Sequence, residues 1–123
     1  MEALARERYI SLTTRRRDGA LVSTPVWVVS DDGRRLLVNT RADSGKVKRI
    51  RRDGRVLVAA CDLRGRERGP RMEATARLLP AEAAATVLPL LRRKYGWQWR
   101  LLELQARLWR RDGPGAAYIE IMA

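Results

Sequence analysis

The sequence predicts one domain, residues 1–123, of the α+β class and mainly β: a six-stranded antiparallel barrel with two helical additions. Short segments in which apolar and polar residues alternate indicate strands with one buried face. Turn residues separate these segments at a spacing of about ten residues, which is typical of antiparallel barrels and not of parallel sheets. The additions are a short helix after the third strand and a helical insert before the last strand.

The first two strands are joined by a predicted hairpin. A short helix or arm over residues 1–8 leads to a strand at residues 9–14, which alternates apolar and polar side chains. Asp18-Gly19 is a hairpin-turn dipeptide, and the second strand covers residues 20–30. Pro25 lies inside this strand and has no backbone N–H, so we expect an edge, a bulge or an opening of the ladder there.

Residues 34–55 are the most informative segment. They hold nine Lys and Arg residues against two Asp residues, which is more than half of the formal net charge of +12. A hairpin turn at residues 31–33 leads to the third strand, residues 34–40, and a short helix is predicted over residues 46–53. Two good N-cap residues precede this helix, and Gly54 is placed to end it.

This join between a strand and a helix N-terminus is suited to hold a phosphate. Backbone N–H groups without helical partners point outward there, and the helix end carries a partial positive charge. A hydroxyl group and lysine side chains lie at the same join. The alternative interpretation of the same residues is a solvated basic helix on the surface.

After the basic helix the chain returns to strands and then enters the helical insert. Pro80 is placed at the start of a helix, where proline is tolerated, and Pro89 is expected to kink or interrupt that helix. A second helical pattern covers residues 97–111. The remaining predicted strands are residues 55–62, 71–79 and 116–121.

The sequence contains no histidine and one cysteine, Cys61. Without histidine, a Ser-His-Asp triad, a Cys-His pair and almost every catalytic zinc site are excluded. One cysteine excludes an internal disulfide and a metal site built from several cysteines, and the common nucleotide and metal motifs are missing. We therefore expect no metal, and any enzymatic chemistry would come from a bound cofactor.

The charge balance favours an anionic partner. The 26 Lys and Arg residues outnumber the 14 Asp and Glu residues, which suits nucleic acid, anionic lipid or a phosphorylated or poly-carboxylated small molecule. We expect Asp62, Glu73 and Glu120 to pair with the abundant arginines. No apolar run approaches the roughly 20 residues that span a bilayer, and the N-terminus lacks a signal-peptide core. A cytoplasmic location without membrane contact is the expectation.

Several aromatic residues are candidates for ligand contact. Thr24-Pro25-Val26-Trp27 combines a strand opened by proline with a large aromatic face, although a tryptophan on a strand is also a common core residue. Trp97, Trp99 and Trp109 in the insert suit a partner interface or a substrate lid, or they pack the insert on the barrel. Cys61 is most simply a small buried hydrophobic residue.

Taken together, these segments resemble the split β-barrel flavin and deazaflavin proteins, the pyridoxamine 5′-phosphate oxidase-like family. They are most similar to its coenzyme F420-binding branch of small actinobacterial oxidoreductases. The most specific part of the resemblance is the run from Thr40 to Arg52. The other segments that carry it are 9–14, 23–28, 58–65, 73–77 and 91–97.

The resemblance implies a split barrel that forms a homodimer and binds F420 in a groove between the two barrels. A chain of 123 residues is too small to enclose such a cofactor alone. The residues that match the family's phosphate-binding join are Thr40, Ser44, Gly45, Lys46 and Lys48. Those that match the segment along the deazaflavin ring are Pro25, Val26 and Trp27. Cys61, on the following strand, lies near the cofactor by analogy.

The implied activity is hydride transfer between the deazaflavin and a small organic substrate that the sequence does not identify. No catalytic residue is assigned, and the proton would come from solvent, a tyrosine, or a water held by an arginine or lysine. Three alternatives stay open: binding of FMN, the cofactor of the sister branch; a non-catalytic F420 carrier; and a basic barrel that binds nucleic acid. The nucleic-acid alternative is disfavoured because aromatic residues are not interleaved along the basic segment.

Overall fold

The computed structural model describes the backbone of residues 1–112 and 115–123 and the side chains of residues 1–104 and 115–123. In this part of the chain, six antiparallel strands form one sheet that curls into a half-barrel, which confirms the predicted α+β split barrel. The strands are β1 (Tyr9–Arg15), β2 (Leu21–Trp27), β3 (Leu36–Arg41), β4 (Arg55–Ala60), β5 (Met72–Leu79) and β6 (Ala116–Met122). The helices are α1 (Glu2–Ala5), α2 (Gly45–Arg52), α3 (Ala84–Tyr95) and α4 (Trp97–Asp112).

The strand order, β2-β1-β4-β5-β6-β3, places β2 and β3 at the two edges of the sheet. An antiparallel bridge just beyond β2 joins these edges, with Val29 N–H donating to Leu37 O at 3.0 Å and Leu37 N–H donating to Val29 O at 2.7 Å. Away from this bridge, the described residues show no further pairing between β2 and β3. The sheet is therefore closed at one point and split along the rest of the two edges. Pro25 lies on the edge strand β2, as predicted.

Two apolar clusters stabilise this arrangement. The barrel interior holds fully buried side chains from four strands, among them Ile10, Leu12, Val58 and Ile119. The second cluster lies under the helical insert. Its buried members are Val29, Leu37, Val87, Leu91, Tyr95, Trp99 and Tyr118. Burial of each large side chain contributes about 1.5–3 kcal/mol, so the insert is bound to the barrel by its core face.

Helix α2 confirms the predicted basic helix but ends for a different reason. Asp53, the residue after its last turn, has an extended backbone with φ of −144°, and Gly54 does not adopt the left-handed conformation of a glycine cap. A side chain at Gly54 would begin 2.7 Å from the carbonyl oxygen of Ala76, too close for any Cβ. Gly54 is thus required by the close approach of the chain to β5.

The prediction that Pro89 interrupts the insert is wrong. Helix α3 runs through Pro89, and the break lies at Gly96, which has a positive φ of 59°. Proline removes one helical hydrogen bond, but Val87 and Leu91 on either side are buried in the second cluster and hold the helix together. The second predicted helix is confirmed as α4. None of the helices, over the residues that the structure describes, is long and apolar enough to cross a lipid bilayer.

Glu120 is a buried carboxylate between two arginines, as expected. It accepts hydrogen bonds from Arg77 Nε at 2.6 Å and from Arg35 Nη1 at 2.8 Å. These bonds, first that of Arg77 and then that of Arg35, lower the pKa of Glu120. Asp62, in contrast, accepts from the backbone N–H groups of Arg64 and Arg66 and shapes a turn.

We predict that Glu120→Gln destabilises the protein by about 1–3 kcal/mol at neutral pH, because it leaves the charged partners of a buried group unpaired. A lowered carboxyl pKa stabilises the fold above the unfolded-state pKa, and this stabilisation is lost as pH falls. The difference between wild type and variant should therefore shrink below about pH 4.5, the ordinary glutamate pKa. Urea unfolding at several pH values measures this difference in the free energy of unfolding. Glu82→Gln, at an exposed position, is the matched control; equal stability of the wild type and the Glu120 variant at pH 7 would contradict the prediction.

Candidate cofactor site

A cavity of about 380 Å³ lies in the split between the two edge strands. It is bounded by Pro25–Trp27 of β2, by residues 39–41 of β3, by Ser44 and Lys46 at the start of α2, and by Trp99 and Leu102 of α4. The cavity therefore has an apolar wall of aromatic and aliphatic groups and a polar end at the helix N-terminus. The volume is within the range of about 300–1,000 Å³ that is usual for small-molecule sites.

Six of the nine residues predicted to bind a cofactor line this cavity. They are Pro25, Val26, Trp27, Thr40, Ser44 and Lys46. Gly45 lies in the first turn of α2 between two lining residues, whereas Lys48 is exposed and is not part of the wall. Cys61 does not line the cavity either. It is fully buried, and its backbone forms an isolated antiparallel β-bridge with that of Glu67. The distance of a residue along the sequence from the phosphate-binding join therefore does not tell whether it lines the cavity.

The cavity also contains residues that the sequence did not single out as ligands. Asn39 and Arg41 flank Thr40 on β3, and Leu102 comes from the insert. The tryptophans of the insert differ in exposure. Trp99 is 3% exposed and lines the cavity, whereas Trp97 is 71% exposed. The side chain of Trp109 lies outside the described residues. Trp99 thus packs the insert on the barrel, as one of the two interpretations predicted, and also forms part of the cavity wall.

Trp99 carries one of the few unsatisfied polar atoms in the described part of the chain. Its indole nitrogen Nε1 is buried and has no hydrogen-bond acceptor. A buried donor without an acceptor is unfavourable, by about 1–3 kcal/mol. Burial of the Trp99 ring in the second apolar cluster offsets this cost.

The polar end of the cavity is cationic: Arg41 forms an ion pair with Asp43 there, with Nε 3.2 Å from Oδ1, and Lys46 lies beside it. Burial, followed by the nearby charge of Arg49, lowers the pKa of Lys46. Burial and the charges of Arg16 and Arg52 likewise lower the pKa of Arg49. The described residues provide no carboxylate that pairs with Lys46. A bound anion would relieve both unfavourable effects.

Trp27 in the apolar wall is held by Tyr95 of α3. The two rings stack with centroids 4.1 Å apart and planes 7° from parallel. The Tyr95 hydroxyl donates to Arg8 O at 2.7 Å and accepts from Val28 N–H at 3.0 Å. Burial raises the pKa of Tyr95 to about 12, so the hydroxyl keeps its proton at physiological pH. The insert thereby fixes the end of β2 where it leaves the sheet.

Lys94 strengthens the same attachment. Its ammonium group donates to the carbonyl oxygens of Ala5 at 3.0 Å and Val28 at 2.7 Å, and also to that of Glu7. Burial, with a smaller effect of Arg8, lowers the pKa of Lys94 to about 8, which leaves it mostly protonated at neutral pH. Three backbone carbonyls match the three donors of the ammonium group.

Comparison with known proteins agrees with this architecture. The family model described as pyridoxamine 5′-phosphate oxidase matches residues 1–116. The chain belongs to this family. No curated protein matches the sequence.

Solved structures show the same fold at low sequence identity. A conserved hypothetical protein of Mycobacterium tuberculosis is 23% identical, with 99% of this chain and 77% of that chain covered and a TM-score of 0.69. An F420 reductase is 19% identical, with 98% of this chain and 90% of that chain covered and a TM-score of 0.60. The heme storage protein HutZ of Vibrio cholerae is 10% identical, with 95% of this chain and 82% of that chain covered and a TM-score of 0.69. The same fold therefore occurs in proteins whose names indicate different roles.

We predict that Tyr95→Phe destabilises the protein by about 1–3 kcal/mol, because the backbone groups of Arg8 and Val28 lose a buried partner. Tyr95→Leu should cost more, since it also removes the ring that stacks on Trp27. Urea unfolding followed by tryptophan fluorescence gives both values. If the Phe variant were as stable as the wild type, the hydroxyl would not be the anchor that the geometry indicates.

Proposed function

We propose that this family member is an oxidoreductase that binds coenzyme F420 and transfers a hydride between the deazaflavin and a small organic substrate. The observation that carries the proposal is the composition of the cavity in the split. One cavity joins an apolar wall suited to a flat ring with a helix N-terminus suited to a phosphate, where Lys46 has no carboxylate partner among the described residues.

The residues present fit such a cofactor. Pro25, Val26 and Trp27 would lie along the ring. Thr40, Ser44 and Lys46, with the free N–H groups of the first turn of α2, would bind the phosphate. When bound, the deazaflavin supplies the hydride chemistry, for which the side chains of this protein have no substitute.

The protein's own contribution is orientation, exclusion of water and supply of hydrogen-bond donors. Trp99 and Leu102 shield the apolar wall, and the side-chain amide of Asn39 offers a donor to the substrate or the ring. The Tyr95 hydroxyl is already committed to backbone groups, so it does not serve as a proton donor. With no histidine in the chain, a water held by a cation of the cavity is the proton source that fits.

The choice of F420 over FMN rests on charge. F420 has a poly-carboxylated tail and FMN does not, and the net charge of +12 favours the more anionic cofactor. The same fold occurs in an F420 reductase, which is consistent with this proposal. FMN remains the second candidate, because the ring wall and the phosphate end suit it equally well.

We predict that F420 binds saturably with one site per chain and that this binding persists at moderate salt concentration. Lys46→Gln should weaken the binding about 10- to 100-fold. Lys48→Gln removes the same charge from an exposed position and should change affinity by less than about threefold, because exposed charges are well screened. Fluorescence titration measures this, with FMN in parallel. Binding of FMN alone would move the protein to the flavin branch, and binding of neither would refute the proposal. Turnover of reduced F420 with candidate acceptors then separates an enzyme from a carrier.

We also propose that a second copy of the chain completes the site. A cavity of about 380 Å³ is small for a deazaflavin with its phosphate and tail. Size-exclusion chromatography with light scattering should therefore give a dimer of about twice the 14.1 kDa chain mass, and F420 should shift any equilibrium towards it. A monomer that binds F420 with full affinity would contradict this.

A further inference from the structure

Val28, the residue that follows the apolar wall of the cavity, is held by side chains and not by the sheet. Strand β2 ends at Trp27, and Val28 lies fully buried between this strand and the bridge at Val29. The N–H of Val28 donates to the Tyr95 hydroxyl at 3.0 Å, and its carbonyl oxygen accepts from the Lys94 ammonium group at 2.7 Å. Because buried backbone groups need such partners, the last two residues of α3 fix the chain directly after Trp27.

The same two side chains bind the N-terminal segment, residues 1–8. They donate to three of its carbonyl oxygens: Lys94 to those of Ala5, at 3.0 Å, and Glu7, and Tyr95 to that of Arg8, at 2.7 Å. All three donors of the ammonium group and the single hydroxyl proton are thereby used. Neither side chain can move without the loss of hydrogen bonds to both the N-terminal segment and the end of β2.

The ring of Tyr95 holds the cavity wall from a second direction. It stacks on Trp27 with centroids 4.1 Å apart, and the guanidinium of Arg8 lies over it with Cζ 5.1 Å from the centroid. Trp27 lines the cavity, whereas neither Lys94 nor Tyr95 does. The position of Trp27 is therefore set both by the ring on which it stacks and by the backbone that follows it.

We infer that Lys94 and Tyr95 are positioning residues of the cofactor site, which place Trp27 against the flat ring of the ligand and make this placement depend on the docked N-terminal segment. The identity of that ring rests on the proposed function. Residues 1–8 do not line the cavity, so their effect on the ligand passes through α3. The coupling acts in both directions: a docked segment favours binding of the ring, and a bound ring favours the docked segment.

Lys94→Met tests this role against Arg93→Met, which removes the same charge from the exposed neighbouring residue. Four ligands are titrated by fluorescence: F420 and its phosphate-free deazaflavin chromophore, and FMN and riboflavin. For the pair that the wild type binds, Lys94→Met should weaken both members by the same factor, about 3- to 30-fold, because both carry the ring. Arg93→Met should leave both members within about threefold.

Tyr95→Phe is the second variant, for the case in which Lys94→Met does not fold. It keeps the ring that stacks on Trp27 and removes only the hydroxyl that joins Val28 to Arg8. We expect it to weaken both members of the pair equally, by about 2- to 10-fold. Urea unfolding shows that each variant is folded under the conditions of the titration.

Hydrogen exchange of the N-terminal segment measures the coupling itself. The N–H groups of Ala5, Arg6 and Glu7 form hydrogen bonds within this segment. A saturating concentration of the bound ligand should slow their exchange about 3- to 10-fold in the wild type and leave it unchanged in Lys94→Met. The N–H of Gly19, in the hairpin turn between β1 and β2, is the internal control and should not respond.

The outcomes distinguish the positioning role from the proposed function. A wild type that binds none of the four ligands refutes the proposed function and the positioning role together. A wild type that binds one pair, with unchanged affinity in both Lys94→Met and Tyr95→Phe, overturns the positioning role alone. A loss confined to the phosphorylated member, or N-terminal amides that exchange equally fast with and without ligand, also overturns it.

Discussion

The antiparallel bridge between Val29 and Leu37 is the constraint on which the rest of the structure depends. Its two hydrogen bonds join the edges of the sheet at one point. On one side of the bridge, Val29 and Leu37 are buried in the cluster under the insert. On the other side, β2 and β3 separate, and the cavity occupies the gap. A fully paired barrel would have no unpaired edges and no room for a ligand between them.

The electrostatics of the chain follow the same division. Carboxylates away from the split are paired with arginines: Glu120 with Arg35 and Arg77, and Asp53 with Arg55. The start of α2 is different, because Lys46 and Arg49 face other cations there. Arg41 is paired with Asp43 at this end, and Lys46 is the lining cation for which the described residues provide no carboxylate. Net charge alone does not reveal this difference.

The sequence predicted the elements well because they depend on local patterns, but it predicted the site only in part. Alternation and turn residues located all six strands, and the run from Thr40 located the join that lines the cavity. Lys48 and Lys46 lie two residues apart on one helix, yet Lys48 is exposed and only Lys46 lines the cavity. Pro89 fails as a helix breaker because tertiary packing of α3 outweighs one lost hydrogen bond. Long-range contacts of this kind have no local signal.

The cationic end and the apolar wall of the cavity are formed by different secondary-structure elements, so the wall that contacts a substrate can vary separately from the end that would bind an anion. The cationic end is built from β3 and the start of α2. Trp99 and Leu102 come from α4, whose outer residues Trp97, Leu101 and Leu104 are 71%, 59% and 59% exposed. Changes in α4 would therefore reshape the apolar wall without disturbing the anion-binding end. An unpaired apolar helix face of this kind is also where a second copy of the chain could pack, so substrate specificity and assembly would depend on the same helix.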